Sequence, residues 1–437
     1  RQRLIEPALA WQERPGLSPP SSFPFLSIPA AMTEAEQLQI AKNRSRFLKK
    51  NIRPWPSPPS PPGPLPHKGR GGDMRRLRLG YLSADFHNHP TAHLMLGHFK
   101  RHDRRRFEVF AYSIGADRDP FYRQRIENDV DHFIDLQFMS YQQAAQRIHD
   151  DGIDLLIDLK GHTKLARTQI LAYRPAPVQI AWLGYPGSMG ADFIDYMVTD
   201  RWITPPEQQP YYSEQFIYLP CCYQVNDCEQ PIAATTPGRS DHGLPEYGFV
   251  FCCFNAHYKI EPRIFAVWMA LLKDVSDSVL WLMDEAGRAN LQQAAADQGV
   301  SPQRLIFAPR LPKPDHLARH RWADLFLDTL YCNAHTTASD ALWAGVPVLT
   351  CPGQTLASRV SLSLLQAIGL GNDGLIVDSI EQYQQRALEL ATHPEELGRI
   401  RQKLWANRLN QPLFDTDRFV CDFEAALERV WWNGCHG

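Results

Sequence analysis

Asp328-Thr-Leu-Tyr-Cys-Asn-Ala-His-Thr-Thr-Ala-Ser-Asp-Ala-Leu-Trp-Ala-Gly-Val-Pro347 is the stretch that decides the fold. Residues 323–330, which lead into it, form a short apolar run carrying Leu and Phe and ending in polar and small residues, which predicts a buried strand. A loop follows, then a helix over 338–343 that Gly345 and Pro347 terminate, then a strand over 346–350. His335, Thr336 and Thr337 stand where that helix begins. The free N–H groups of a first helical turn and the positive end of the helix dipole attract anions, so this ring, these hydroxyls and their main-chain donors suit a phosphate. Asp340 offers a carboxylate to a sugar diol such as a ribose. The same residues would also serve as an ordinary helix cap, and this element alone leaves both readings open.

Length and composition bound the rest. A chain of 437 residues predicts two globular units plus an extension, and 44% hydrophobic residues suffice for normal cores. A net charge of −2 excludes a strongly basic nucleic-acid binder. No apolar run approaches the length of a bilayer span, and the start, at Arg1, lacks the order of a secretory signal and reads as a fragment or processed product. Nine cysteines, with adjacent pairs Cys221-Cys222 and Cys252-Cys253 but no C-x-x-C spacing, predict reduced thiols in a cytoplasmic protein and no zinc site.

Residues 1–73 read as an extension. Its block Pro54-Trp-Pro-Ser-Pro-Pro-Ser-Pro-Pro-Gly-Pro-Leu-Pro66 excludes helix and central strand, while 33–51 predicts a helix capped by Thr33 with Glu36 three residues on. The basic cluster at 68–78 reads as a solvated face.

A first α/β unit is expected over 74–235, with strands at 77–83, 107–113, 132–136, 153–159, 177–184 and 196–200. The loop after the first strand, Asp85-Phe-His-Asn-His-Pro-Thr-Ala-His93, packs three histidines and a carboxylate where open α/β sheets bind ligands. Lys160-Gly-His-Thr163 ends the fourth strand with similar chemistry. Gly184-Tyr-Pro-Gly-Ser-Met-Gly190 is glycine-rich but lacks dinucleotide-site spacing. Residues 221–245 read as the interdomain linker.

A second unit is expected over 236–410, with strands at 249–254, 279–283, 305–307 and 375–378 besides the two already named, and a terminal helix at 411–437 packing back. Lys259 lies just past a strand end; Lys313, His316 and Arg319 fall together if Pro314 starts a helix; His335 to Asp340 follow the next strand. Three successive strand ends thus bring cations and hydroxyls to one rim, which favours a phosphate ligand.

Two doubly wound units, one rich in phosphate-compatible groups and the other in His and Asp, suit transfer from a nucleotide-activated donor. The D-x-D at Asp129-Val-Asp131 lies away from the phosphate groups, so no bridging metal is expected; Lys259, the helix start at Thr337 and His335 are left to offset leaving-group charge. His89 suits a general base, and equally a structural histidine bonded to nearby backbone.

From about residue 77 onward the chain resembles the catalytic region of the O-linked N-acetylglucosamine transferases, the family that includes the plant SPINDLY proteins. The resemblance rests on Asp85-Phe-His-Asn-His-Pro-Thr-Ala-His-Leu-Met95, Arg174-Pro-Ala-Pro-Val-Gln179, Trp182-Leu-Gly-Tyr-Pro-Gly187, Tyr258-Lys259, Cys332-Asn-Ala-His-Thr-Thr337, Asp340-Ala-Leu-Trp-Ala-Gly345 and Leu356-Ala-Ser-Arg-Val360, in family order. It implies an α/β protein of two Rossmann-like domains facing across a cleft, the GT-B type. It further implies an inverting, metal-independent transfer of N-acetylglucosamine from UDP-N-acetylglucosamine to Ser or Thr hydroxyls of proteins, with no cofactor, nucleic acid or membrane. By position, Lys259 would meet the diphosphate and His335, Thr336 and Thr337 would line it. Asp340 would hold the ribose, and Leu311, Lys313, His316 and Arg319 would surround uracil and ribose. His89 takes the place proposed for the family's base, with His93 its neighbour. Ala256 stands where animal members have Gln, and 221–245 is short where they carry a long insert. Tetratricopeptide repeats precede this region in the family; none is visible in 1–73. SPINDLY-like members make an O-fucosyltransferase using GDP-fucose the rival expectation, and a non-catalytic nucleotide-sugar sensor is a third.

Overall fold

The structure, a computed structural model, describes residues 5–11, 18–19, 32–55, 75–116 and 119–434; most of the proline block and basic residues 68–74 lie outside them. The chain divides into two compact units, one holding Met32–Asp227 with Thr416–Gly437, the other Cys228–Asp415.

The first unit begins with helices Ile5–Leu9 (α1) and Glu34–Lys49 (α2). Thr33 accepts from Glu36 N and the Glu36 side chain accepts from Thr33 N, the capping box expected from sequence. Strands and helices then alternate: Leu77–Ser83 (β1), Pro90–Phe99 (α3), Phe107–Ser113 (β2), Pro120–Asp129 (α4), His132–Asp135 (β3), Tyr141–Asp150 (α5), Leu155–Asp158 (β4), Gln169–Ala172 (α6), Val178–Ala181 (β5), Tyr196–Thr199 (β6) and Gln215–Tyr218 (β7). They form a parallel sheet in the order β3-β2-β1-β4-β5-β6-β7. Burial on both faces explains why β1, β2 and β4 read as nearly continuous apolar runs. The edge strand β7 is only partly buried and was not foreseen.

The second unit alternates Val250–Cys253 (β8), Pro262–Asp274 (α7), Val279–Met283 (β9), Arg288–Asp297 (α8), Leu305–Ala308 (β10), Lys313–Arg319 (α9), Leu325–Leu327 (β11), Thr336–Trp343 (α10), Val348–Leu349 (β12), Val360–Ala367 (α11), Ile380–Thr392 (α12) and Pro394–Asn407 (α13). Its parallel sheet runs β10-β9-β8-β11-β12. The strand expected at 375–378 is an isolated bridge, Thr350 to Ile376.

Helix Thr416–Gly434 (α14) belongs to the first unit and packs on α3 and β7. Trp182 lies 4.6 Å from Phe423 and 5.9 Å from Phe419, ring centre to ring centre. Beneath them Tyr81 OH sits 3.0 Å from His98 Nε2 and 2.8 Å from His102 Nε2, and His102 Nδ1 meets Glu424 Oε1 at 2.8 Å. These polar groups are buried, so pairing offsets their desolvation.

Gly184 and Gly190 allow close packing of the backbone against neighbouring segments. A Cβ on Gly184 would stand 1.9 Å from Leu159 O, and one on Gly190 2.3 Å from Lys42 N. Among the described residues no helix is long and apolar enough to cross a membrane, and Cys221, Cys252, Cys253, Cys332, Cys351 and Cys421 are free thiols.

Candidate active site

Each sheet reverses its winding at one point: between β1 and β4 in the first unit, between β8 and β11 in the second. Open α/β sheets bind ligands at such switch points, outside the carboxyl ends of the flanking strands. His89 and His93, Lys259, and His335 to Asp340 follow β1, β8 and β11, which flank those points, whereas Leu311, Lys313, His316 and Arg319 follow the edge strand β10.

In the second unit the loop after β8 ends in a single turn, His257–Lys259, that starts at Ala256. Lys259 Nζ reaches the loop after β11 and donates to Asn333 O at 2.7 Å. Burial opposes its charge, but the facing Cys332, Tyr258 and Asp328 outweigh burial and hold its pKa above the ordinary lysine value. Lys259 is therefore a fixed cation.

Asp328 shapes the loop it faces. Its buried carboxylate accepts from Thr329 N at 2.8 Å, Ala334 N at 2.7 Å and Thr350 Oγ1 at 2.8 Å. Thr337 donates to Asn255 Oδ1, and Asn255 Nδ2 to Thr329 Oγ1 at 2.9 Å. The Thr337 hydroxyl is thus spent on the neighbouring loop, and His335, the N-cap residue, makes no side-chain cap bond. The plain cap reading fails for both. Main-chain N–H groups at Thr336 and Thr337 have no acceptor within α10, which leaves them for a ligand. Burial and the nearby Lys259 charge press the His335 pKa well below the ordinary value, and Nε2 is buried without a partner. A neutral ring with Nε2 open presents a hydrogen-bond acceptor there.

Asp340 is buried one turn into α10, where its Oδ1 is ion-paired with Lys313 Nζ and its Oδ2 lies 3.8 Å from His316 Nε2. Burial raises the Asp340 pKa, and Lys313 opposes the rise. Leu311, 36% exposed, precedes them on the rim. Arg319 departs from the expected role of facing a base or ribose. It is wholly buried, its guanidinium 5.0 Å from the Phe254 ring centre, donating to Pro309 O at 2.6 Å and to His316 Nδ1. Its burial makes it a positioning residue: by donating to Nδ1 it leaves the hydrogen of a neutral His316 on Nε2.

In the first unit the loop after β1 carries Asp85, His89 and His93. Lys160 Nζ, arriving from the loop after β4, donates to Asp85 Oδ2 at 2.6 Å, both side chains being 5% exposed. Asp85 Oδ2 lies 3.5 Å from His89 Nδ1. That nitrogen also accepts from Thr91 N at 3.2 Å, so His89 caps α3 and its neutral ring carries the hydrogen on Nε2. Burial, with help from Lys160 and His87 and against Asp85, lowers the His89 pKa to about 4. His93 meets Asn88 Oδ1 at 2.8 Å and stacks on Tyr122 at 4.9 Å.

Sequence reading passed over Asp85, Lys160, Asp328, Asn255 and Asn333 as partners. One signal was present. Asp158 and Asp328 each follow an apolar strand and bind main-chain N–H groups of the next loop, Asp158 taking Lys160 N and Gly161 N at 3.0 Å.

Two doubly wound parallel sheets with polar clusters at both switch points are the architecture of GT-B glycosyltransferases. The family model described as glycosyl transferase family 41 matches residues 62–236 and 229–423. "Probable UDP-N-acetylglucosamine--peptide N-acetylglucosaminyltransferase SEC" of Arabidopsis thaliana is 42% identical over 426 residues, covering 96% of this chain and 43% of that protein. A UDP-N-acetylglucosamine--peptide N-acetylglucosaminyltransferase of Caenorhabditis elegans is 30% identical, over 84% of this chain and 42% of its own length. Among solved structures, a mutant Thermobaculum terrenum O-GlcNAc transferase superimposes with a TM-score of 0.81 at 29% identity, over 94% of this chain and 76% of that one. The chain belongs to glycosyl transferase family 41, and it spans less than half the length of the curated relatives it matches.

Proposed function

We propose that the chain is the catalytic part of a transferase that moves N-acetylglucosamine from UDP-N-acetylglucosamine to Ser and Thr hydroxyls of cytoplasmic proteins, inverting the anomeric centre without a metal. The observation that carries this reading is the fixed Lys259 cation beside the open N–H groups of α10 at the second switch point. The names of the relatives support the donor and the polypeptide acceptor.

In this reading the second unit seats the nucleotide. The diphosphate lies against Lys259 and the start of α10, Asp340 and Lys313 take the ribose hydroxyls, and Leu311 with His316 borders the uracil. The acceptor oxygen attacks C1 of the sugar, the bond from C1 to the phosphate oxygen breaks, and UDP leaves with charge that Lys259 and the helix dipole stabilise. His89 takes the acceptor proton at Nε2, acting from the tautomer in which its ring hydrogen has moved from Nε2 to Nδ1. This requires the Nδ1 contact to pass from the Thr91 N–H to the Asp85 carboxylate, which then steadies the imidazolium.

Isothermal titration with UDP and GDP, followed by intact-mass analysis of co-expressed proteins, tests this reading. Tight UDP binding and addition of one N-acetylhexosamine on Ser or Thr, unaffected by EDTA, is the expected result. Preference for GDP with a deoxyhexose product would instead establish the fucosyltransferase, which the loss of an amide at Ala256 leaves open. Nucleotide binding with no product would establish a sensor.

A further inference from the structure

The strands that flank the first unit's switch point lie side by side, Leu82 opposite Asp158, and the loops that leave them are joined by one ion pair. The loop after β4 holds both main-chain polar atoms of Lys160. The Asp158 carboxylate accepts from Lys160 N and Gly161 N at 3.0 Å, and the Thr163 hydroxyl donates to Lys160 O at 2.8 Å. Gly184 closes in from another side: a Cβ there would stand 3.2 Å from Lys160 Cα. From this fixed backbone Lys160 Nζ crosses to the loop after β1 and donates to Asp85 Oδ2 at 2.6 Å.

Both side chains of this pair are buried. A buried ion pair adds little stability over an apolar pair of similar volume, because desolvating two charges offsets most of their attraction. Its position indicates another use. The oxygen that Lys160 holds is the one 3.5 Å from His89 Nδ1. Facing His89 are Asp85 and His87 from its own loop, the His87 ring 5.8 Å away, and Lys160 from the loop after β4. Burial acts most strongly on His89 and against its protonation; Asp85 favours the proton, and Lys160 and His87 disfavour it.

We propose that Lys160 is a positioning residue of the transfer: its ammonium anchors Asp85 beside His89 and offsets the carboxylate's charge, which keeps the imidazole unprotonated until the acceptor hydroxyl arrives. The proposal rests on the transferase reading above. In the reacting tautomer His89 Nδ1–H donates to Asp85 Oδ2. Nε2 then takes the proton of the attacking hydroxyl, and the imidazolium shares Asp85 with Lys160. Without the ammonium, Asp85 holds a proton on His89 too early and is itself left loose. Lys160 acts through Asp85 and needs no contact with sugar or acceptor.

The test uses the full chain, Lys160→Met, and Lys160→Gln, whose amide still donates to Asp85 and so guards against a variant that does not fold; circular dichroism checks both. The isotopically labelled His89 ring, identified by the signal lost in His89→Asn, is titrated by NMR from pH 8 to about 5, and kcat/KM for transfer from UDP-N-acetylglucosamine is followed beside it. The ring is read as well as the rate because Asp158, pushed up to about 6 by burial, titrates within that range. In both variants the ring is expected to titrate at a pH about one unit higher than in the parent, and the acid limb of kcat/KM to move with it. At pH 8 kcat falls about tenfold in Lys160→Met and is largely restored in Lys160→Gln, which re-anchors the carboxylate without its charge. A ring that titrates in the folded variants as it does in the parent overturns the proposal. If the parent protein binds UDP but transfers no sugar, the transferase reading fails, and the ring still decides: a shifted titration upholds the hold of Lys160 on Asp85 and His89, and an unshifted one removes it.

Discussion

The ammonium of Lys259 donates to the main-chain oxygen of Asn333 at 2.7 Å, joining the loop after β8 to the loop after β11. In the proposed reading this side chain both carries the charge offered to a diphosphate and joins the two loops that would seat it. Lys259→Ala is expected to cost about 2 to 4 kcal/mol of transition-state stabilisation, a fall of roughly 30-fold to 10³-fold in kcat, and to weaken UDP binding. Steady-state kinetics and titration calorimetry check this; turnover within a few-fold of the parent would remove the diphosphate from this position.

The Lys313 and Asp340 pair is buried, with side chains 9% and 6% exposed. Removing one partner strands the other charge away from water. Lys313→Met is expected to destabilise the second unit by about 3 to 5 kcal/mol, whereas Lys313→Met with Asp340→Leu recovers most of that loss. Denaturant unfolding measures both. UDP affinity should fall in the double variant despite its recovered stability, which separates holding the ribose from holding the fold.

His89 has its pKa lowered to about 4, burial being the main cause. A neutral ring is the active form of a base, so kcat/KM should stay level from pH 8 to about 5 and fall as the solution becomes more acid. An acid limb near 6.5 would place the titrating group elsewhere. His89→Asn should slow transfer by about 10² or more while leaving UDP binding intact, because the proposed nucleotide seat belongs to the other unit.

Burial also holds His162 at about 4 and His102 and His320 at about 3. Below 6.5 the unfolded chain binds protons at these positions that the folded chain does not take up until the lower values are reached. Stability therefore drops as pH falls through that window, each group adding about 1.4 kcal/mol per pH unit to the slope. Urea unfolding between pH 7 and 4.5 measures the fall, and His320→Leu should flatten it.

Where one local signal decided an element, the sequence was enough. Leu77–Ser83, Phe107–Ser113 and Val279–Met283 match the expected strands residue for residue, because each is an apolar run between breakers and is buried almost throughout. The two-sheet architecture followed from that alternation. Gln215–Tyr218 escaped because an edge strand alternates weakly, and 375–378 misled because an apolar run states burial, not pairing. At the site, strand ends located Lys259, His89 and the start of α10. What stayed hidden was who holds whom: Lys313 with Asp340, Lys160 with Asp85, Asp328 with Thr350 are meetings across the fold that residue spacing does not encode.

The first sheet is complete by Tyr218, yet Trp182, His98 and His102 are covered only when helix Thr416–Gly434 arrives. On the ribosome the intervening Cys228–Asp415 must be synthesised before that helix emerges. The nascent first unit thus waits with an aromatic face bare while the second can finish folding, and this interval is when the chain most needs a chaperone.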